Sequence, residues 1–246
     1  MPRTPANPSR TKKTPRKRRS TDSVTRPTAP LTFEEEGWAD GCRYVTGVDE
    51  VGYGPLAGPV VAAAVVLREG QRFEGALDSK LLTPRRRERL DGLIREGCLA
   101  YRIGAASCRE VERLNARNAA ALAMRRAIHG LPFEPDLLLV DGRRVPGLPE
   151  HTPVVKGDLR CHSIACASIL AKVTRDRLMR RLGRRYPEYG WGANKGYRTA
   201  EHRAAIRDHG PTPHHRRTFA GVLQVDLLLE EPATPTEETT RFTNAS

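Results

Sequence analysis

Apolar positions in this chain fall into short runs separated by turn residues, and two of these runs come close together near the start of the apolar region. Tyr44 to Val48 and Val60 to Leu67 read as strands, the second an unbroken Val/Ala run suited to a strand covered on both faces. Leu99, Tyr101, Ile103 and Ala105 alternate and predict a third strand. Thr83-Pro84 sets a capping residue before a first-turn proline, predicting a helix that Gly97 closes. Ser107 and Glu110 form a capping box. The helix they open carries Val111, Leu114, Ala121, Leu122 and Ile128 on one stripe and stops at Gly130 and Pro132. Leu137 to Val140 predict a fourth strand and Val154-Val155 a short fifth. Ser163 to Leu182 then read as a long helix whose Ala165, Ala167, Ser168 and Ala171 allow close packing. The order predicts an α/β fold, a mixed five-stranded sheet flanked by helices, with more helix at its C-terminal end.

Composition narrows this to one main domain. A chain of 246 residues with 38% apolar content buries one large core. The longest apolar run is too short to cross a bilayer and no hydrophobic block begins the chain, so a soluble, cytoplasmic protein is expected. Cys42, Cys98, Cys108, Cys161 and Cys166 are odd in number and show no Cys-x-x-Cys pair. They read as reduced packing residues rather than a zinc site or a disulfide frame.

A formal charge of +13 points to an anionic partner, with nucleic acid favoured over lipid because no amphipathic membrane helix accompanies it. Nine Lys or Arg against one Asp put +8 of this in residues 1–30, leaving +5 for the rest. The sequence therefore predicts a disordered basic tail at 1–38, a folded domain at 39–228 and a disordered tail at 229–246. Lys12, Lys13 and Arg16 to Arg19 could tether nucleic acid, although a solvated tail with no specific role explains them as well.

Four acids stand at element ends rather than on helix faces: Asp49, Glu50, Asp141 and Asp158. Singly, Asp141-Gly and Asp158 are explained as turn formers. Together with Asp49-Glu50, they suggest carboxylates converging from several strands. Asp49 and Glu50 would point to opposite faces of a regular strand, so serving one site requires a distortion that Gly52 and Gly54 permit. Oxygen ligands suit Mg²⁺ and a side-chain-free loop lets backbone N–H groups approach an anion, so the segment fits phosphodiester hydrolysis by metal-activated water. No Gly-x-Ser-x-Gly elbow competes with this, and the Gly52-Tyr53-Gly54 pattern leads into a strand rather than the helix of a dinucleotide fingerprint. Asp78-Ser79-Lys80 reads either as a plain turn or as a turn presenting Lys80 to a substrate phosphate.

The blocks Gly47-Val-Asp-Glu-Val-Gly-Tyr-Gly-Pro-Leu-Ala-Gly-Pro-Val60, Asp78-Ser-Lys80, Leu138-Leu-Val-Asp-Gly142, Lys156-Gly-Asp158, Ala167 to Asp176, Lys195-Gly-Tyr-Arg-Thr199 and His215-Arg-Arg-Thr-Phe219 resemble bacterial ribonuclease HII over about residues 44 to 222. The resemblance implies a ribonuclease H-like fold with a C-terminal helical extension that helps hold substrate. It implies endonucleolytic cleavage of the RNA strand of RNA–DNA hybrids, and at a ribonucleotide embedded in duplex DNA, with Mg²⁺ or Mn²⁺ and leaving 5′-phosphate and 3′-hydroxyl ends. By the same resemblance Asp49, Glu50, Asp141 and Asp158 are the catalytic, metal-binding acids. The resemblance also implies that Gly52, Tyr53, Gly54, Lys80 and Tyr197 are the substrate-binding residues, the glycines reading the ribose 2′-hydroxyl and Tyr197 packing on the sugar. Asp176 falls outside the acid set and is expected to pair with Lys172 one turn away. The sequence departs from the pattern at Tyr53, where the family usually has Arg or Lys, which implies weakened substrate binding or an altered preference for single ribonucleotides. A monomer is expected. The competing reading is a basic nucleic-acid-binding protein whose cleavage is altered or lost, and residues 1–43 are too short and polar for the extra N-terminal domain of ribonuclease HIII.

Overall fold

The computed structural model describes residues 27–223. The strands β1 (Val45–Val51), β2 (Val60–Val66) and β3 (Ala100–Ala106) form an antiparallel meander, with Thr46 opposite Val66 and Val60 opposite Ala106. The strand β4 (Leu137–Asp141) lies parallel to β1 on its other side, Val48 beside Val140, and β5 (Thr152–Val154) continues the sheet parallel to β4. The order is β3-β2-β1-β4-β5, the mixed five-stranded sheet expected. All seven residues of β2 are buried, as its unbroken Val/Ala run requires of a strand covered on both faces.

A parallel strand needs a long crossover, and α3 (Cys108–His129) supplies it between β3 and β4. Its capping box is formed, Ser107 Oγ accepting from the Glu110 N–H while the Glu110 carboxylate accepts from the Ser107 N–H. The predicted single stripe needs correction, because Asn115 (φ 64, ψ 166) interrupts the helix and restarts it, its Oδ1 accepting the Asn118 N–H at 3.1 Å. The rotation at this break leaves Leu114 and Leu122 only half-buried, while Ala119, Ala123, Met124, Ala127 and Ile128 pack on Val48, Val60, Ala62 and Val140.

The opposite face of the sheet is covered by α2 (Pro84–Gly97), whose N-cap is Thr83, and by α5 (His162–Arg185), the long helix predicted from residue 163. Leu90, Ile94, Ile169, Leu170 and Val173 meet Ala63, Val65 and Leu67 there. The close packing expected of α5 is seen where it crosses β1: a Cβ on Gly47 would lie 2.2 Å from the Ser163 carbonyl carbon, so only glycine lets the two backbones approach this closely.

A third apolar cluster joins the end of α5 to α6 (Trp191–Asn194), α7 (Ala200–His209) and the loop after β1, through Leu56, Ala57, Met179, Trp191 and Ile206. This is the C-terminal helical extension. At the other end α1 (Thr32–Ala39) lies before the expected domain boundary, with Ala29, Leu31 and Glu34 buried. Described residues 27–38 thus belong to the fold rather than to a tail. Their apolar anchors are too sparse within a polar stretch for the composition to signal burial. The expectations for 1–26 and 224–246 lie outside the described residues. The five cysteines are free, four of them buried, and no helix among the described residues is long and apolar enough to cross a membrane.

Just after α4 (Gly157–Arg160), His162, the first residue of α5, is fully buried and ties the segment before α1 to the loop after β2. Its Nε2 accepts the Phe73 N–H at 2.8 Å, so Nδ1 carries the hydrogen and donates to the Ala29 carbonyl at 3.2 Å. Burial holds its pKa down to about 4, against an ordinary value of 6.5. Between those values the unfolded chain binds a proton that the native imidazole refuses, so stability falls as pH drops from 6.5 to 4, by up to ~1.4 kcal/mol per pH unit from this residue. The buried acids described below have the opposite sign, because raised native pKa values favour the fold at lower pH. The difference between wild type and His162→Gln in urea unfolding at several pH values isolates the histidine. The variant is expected to have the flatter acid limb, and equal limbs would contradict this assignment.

Candidate active site

Asp49 and Glu50 are the fifth and sixth residues of β1, and Asp141 is the last residue of β4. The β1–β2 register runs unbroken to Val51 opposite Val61, whereas the β1–β4 pairing ends at Val48 beside Val140. The distortion expected of β1 is therefore not seen, because the strand stays regular past both acids, and all three acids follow the last parallel pair at the mouth between β1 and β4. Asp158 arrives from α4, which opens after Lys156 in a left-handed conformation (φ 56). The Gly157 N–H donates to Asp141 Oδ1 at 2.7 Å and fastens that short helix to the end of β4.

Crowding shows in the titration of these groups. Burial, then the charges of Glu50 and Asp141, push Asp49 well above the usual carboxylate range. Burial and Asp141 raise Glu50 as well. Asp158 is raised to about 6 by burial, Asp78 and Asp141. Lys80, in the turn Ser79–Leu81, is disfavoured as a cation by partial burial, but Asp78, Asp158, Asp49 and Asp141 outweigh this and raise its pKa. The structure thus brings the four predicted acids and Lys80 into one electrostatic neighbourhood. Asp176 stands apart, paired with Lys172 at 2.8 Å as expected.

Among the described residues no three His, Cys, Asp or Glu side chains already enclose an ion-sized space. Asp49 and Asp141 each turn an oxygen to a backbone amide, Asp49 Oδ1 to the Glu50 N–H and Asp141 Oδ1 to that of Gly157, both at 2.7 Å. The donor chemistry nevertheless fits a hard divalent cation. The candidate ligands are all carboxylate oxygens, and their mutual repulsion is the kind that a counter-charge relieves.

The glycine-rich loop is held from beneath by two guanidiniums with no solvent exposure. Arg216 donates to the carbonyls of Gly52 (2.6 Å), Tyr53 (2.9 Å) and Gly58 (2.8 and 3.0 Å). Arg175 donates to Ala57, Pro59 and Lys195, each at 3.0 Å. Neither has a carboxylate within ion-pair distance among the described residues, and burial together with Arg175 lowers the pKa of Arg216 to about 10. Gly52 has φ +100, which a side chain would strain, and a Cβ there would also meet Arg175 Nε at 2.5 Å.

The loop is further hooked to the segment carrying Tyr197, the Leu56 N–H donating to the Gly196 carbonyl at 2.8 Å. Tyr197 is 42% exposed, with the Arg175 guanidinium 5.8 Å from its ring centre. A buried chain of side chains fixes its backbone. Trp191 Nε1 donates to His202 Nε2, which forces the His202 hydrogen onto Nδ1, where it meets the Tyr197 carbonyl at 2.9 Å. His215 accepts the Thr212 N–H at Nδ1, so its Nε2 hydrogen points to His202 Nε2 at 3.1 Å. Burial and the neighbouring histidines hold His215 down to about 3, so it stays neutral at ordinary pH.

The larger cavities, of about 510 and 430 Å³, lie away from the acids, whereas a shallower one of about 220 Å³ is lined by Glu50, Tyr53, Asp141 and Gly142. Such an open face suits a polymer better than an enclosed small molecule.

A family model described as Ribonuclease HII matches residues 46–222. The chain belongs to the ribonuclease HII family. It is 53% identical over 206 residues to the Ribonuclease HII of Paracoccus denitrificans, covering 82% of this chain and 97% of that one. With Ribonuclease HII 1 of Methylibium petroleiphilum the identity is 54% over 177 residues, 72% of this chain and 89% of that one. The crystal structure of ribonuclease H2 from Pyrococcus horikoshii is similar with a TM-score of 0.61 at 25% identity, over 74% of this chain and 96% of that chain.

The acids, the glycine loop and Tyr197 can be picked out in the sequence, but the groups that support them in this family member cannot. Asp78 reads only as part of a turn, yet its charge raises Asp158. Arg175 sits in the Ala167–Asp176 block and Arg216 in the His215–Phe219 block. Nothing in the composition says that these cations, among many exposed ones, turn inward. Each carbonyl deprived of its donor is worth about 1–3 kcal/mol. Arg216→Ala is therefore expected to lower the melting temperature and to speed hydrogen exchange across residues 52–58 by at least about tenfold. Unchanged exchange in that segment would refute the supporting role.

Proposed function

We propose that this family member hydrolyses the RNA strand of RNA–DNA hybrids, and cuts duplex DNA at an embedded ribonucleotide, with Asp49, Glu50, Asp141 and Asp158 holding the divalent metal. The observation that carries the proposal is the burial of like charges at one strand mouth, costly for a fold unless a cation offsets it. Mg²⁺ or Mn²⁺, when bound, supplies the Lewis acid that makes water a nucleophile at neutral pH and neutralises charge on the phosphate.

The protein residues divide the remaining work. Asp49, sunk between β1 and α5, and Asp141, anchored to α4, give the acid set a fixed inner side. Glu50 and Asp158, each within reach of the Asp141 charge, complete the set. Lys80 adds a positive charge on the rim, where a substrate phosphate is drawn towards an otherwise anionic site. Gly52 and Gly54 offer backbone without side chains to the ribose 2′-hydroxyl, the group that distinguishes RNA from DNA. Tyr197 offers an exposed ring to the neighbouring sugar. The Leu56–Gly196 hydrogen bond joins the loop to the backbone that carries Tyr197, which favours their acting on one sugar at the cutting point.

Asp141→Asn separates the readings. Even a group that only hydrogen-bonds to a metal ligand is worth roughly 10–100-fold when removed. Replacing a ligating carboxylate is therefore expected to reduce hybrid cleavage in Mg²⁺ by more than about 100-fold while hybrid binding persists. A wild-type protein that binds hybrid but yields no product in Mg²⁺ or Mn²⁺ would instead be a binding protein and would overturn the proposal.

A further inference from the structure

The cavity beside the acids has a second, cationic wall. Besides Glu50, Tyr53 and Asp141 it is lined by Arg117 from α3 and by Arg143 and Arg144 from the turn after β4. Arg144 is held by both carboxylate oxygens of Glu150, at 2.8 and 3.1 Å. Arg117 and Arg143 are exposed, and neither side chain has a hydrogen bond or ion pair among the described residues. Glu50 and Asp141 share the cavity but pair with neither guanidinium, which leaves the donors of Arg117 and Arg143 open to an anion from outside the chain.

Their placement follows from two local features. The break at Asn115 makes that residue the N-cap of a fresh helical segment, so Arg117 stands in its first turn, at the positive end of the segment's dipole. The turn at Gly142 (φ 84) carries Arg143 past the end of β4 directly after Asp141. Tyr53, 51% exposed, contributes an aromatic ring to the same cavity. Ala120 and Met124 give it an apolar floor. Two planar cations, a ring and an apolar floor next to a phosphodiester-cutting centre match a nucleotide unit.

We infer that Arg117, Arg143 and Tyr53 form a second nucleotide subsite. The guanidiniums take the backbone phosphate next to the one that is cut, and the Tyr53 ring packs against the sugar or base attached to it. The assignment rests on the proposed nuclease reading for its occupant. It gives this chain its phosphate-binding charge beside the glycine loop, where Tyr53 itself supplies none.

The test measures binding of a fluorescein-labelled RNA–DNA hybrid by anisotropy in EDTA over a range of salt, beside cleavage of the same hybrid in Mg²⁺. Removing one cation from a phosphate flattens the plot of log affinity against log salt by about 1. Arg117→Ala/Arg143→Ala is expected to bind about tenfold more weakly at moderate salt with a slope flatter by one to two. The Lys/Lys double variant should retain most of the slope, and Tyr53→Arg should restore part of it to the double alanine variant. As both arginines are exposed and unbonded, alanine is expected to leave the melting temperature unchanged. Equal affinity and slope in wild type and the double alanine variant would overturn the subsite, even where the wild type cleaves. A wild type that fails to cleave would overturn the nuclease reading instead, while the EDTA measurement still decides the subsite.

Discussion

Parallel pairing of β1 with β4 is the contact on which the site depends. It sets Val48 beside Val140, so the next residues on each strand, Asp49 and Asp141, are acids at the same level. A one-residue slip would turn one of them to the other face of the sheet. The register is held from both sides, by the Ala and Met positions of α3 and by the close approach of α5 at Gly47. The energy of the apolar layers thus holds carboxylates where their mutual repulsion would otherwise drive them apart. The raised pKa values of Asp49, Glu50 and Asp158 express that conflict.

A second conflict lies under the glycine loop. Arg175 and Arg216 are buried without carboxylate partners and satisfy their donors with six main-chain carbonyls, which makes them structural braces for a segment that has few side chains of its own. The same guanidiniums leave net positive charge beneath backbone that is read as facing a nucleic acid. Tyr197 is tied into the brace through Arg175 and through the Trp191–His202–His215 chain. Acid cluster and loop are therefore held by separate means, the first by sheet register and the second by hydrogen bonds to α5 and to the C-terminal extension.

Much of this is legible in the sequence because the signals are local. The Val/Ala run of β2 and the Thr83 and Ser107 caps each reflect physics acting within a few residues, and the acids stand out because each lies at or near an element end. What escapes is non-local. The break at Asn115 is not visible in a stripe that continues across it. The buried state of Arg175 and Arg216 depends largely on carbonyls of the distant glycine loop, and α1 packs through a handful of apolar residues in a polar stretch. Asp78 escapes because its effect on Asp158 exists only after the turn and α4 have met. Arg117 and Arg143 likewise share a cavity only because the helix restarts at one and β4 ends at the other.

The central claim is that the carboxylates at the β1–β4 mouth bind the divalent ion, and melting curves test it without reference to catalysis. A ligand that binds only the native state at about 100 times its dissociation constant stabilises by about 2.7 kcal/mol. Wild type should melt at a temperature that rises with Mn²⁺ over its value in EDTA. Asp49→Asn/Asp141→Asn should be more heat-stable than wild type in EDTA, since repulsion is relieved, and should show no rise with Mn²⁺. The same Mn²⁺-dependent rise in the double variant would contradict the account.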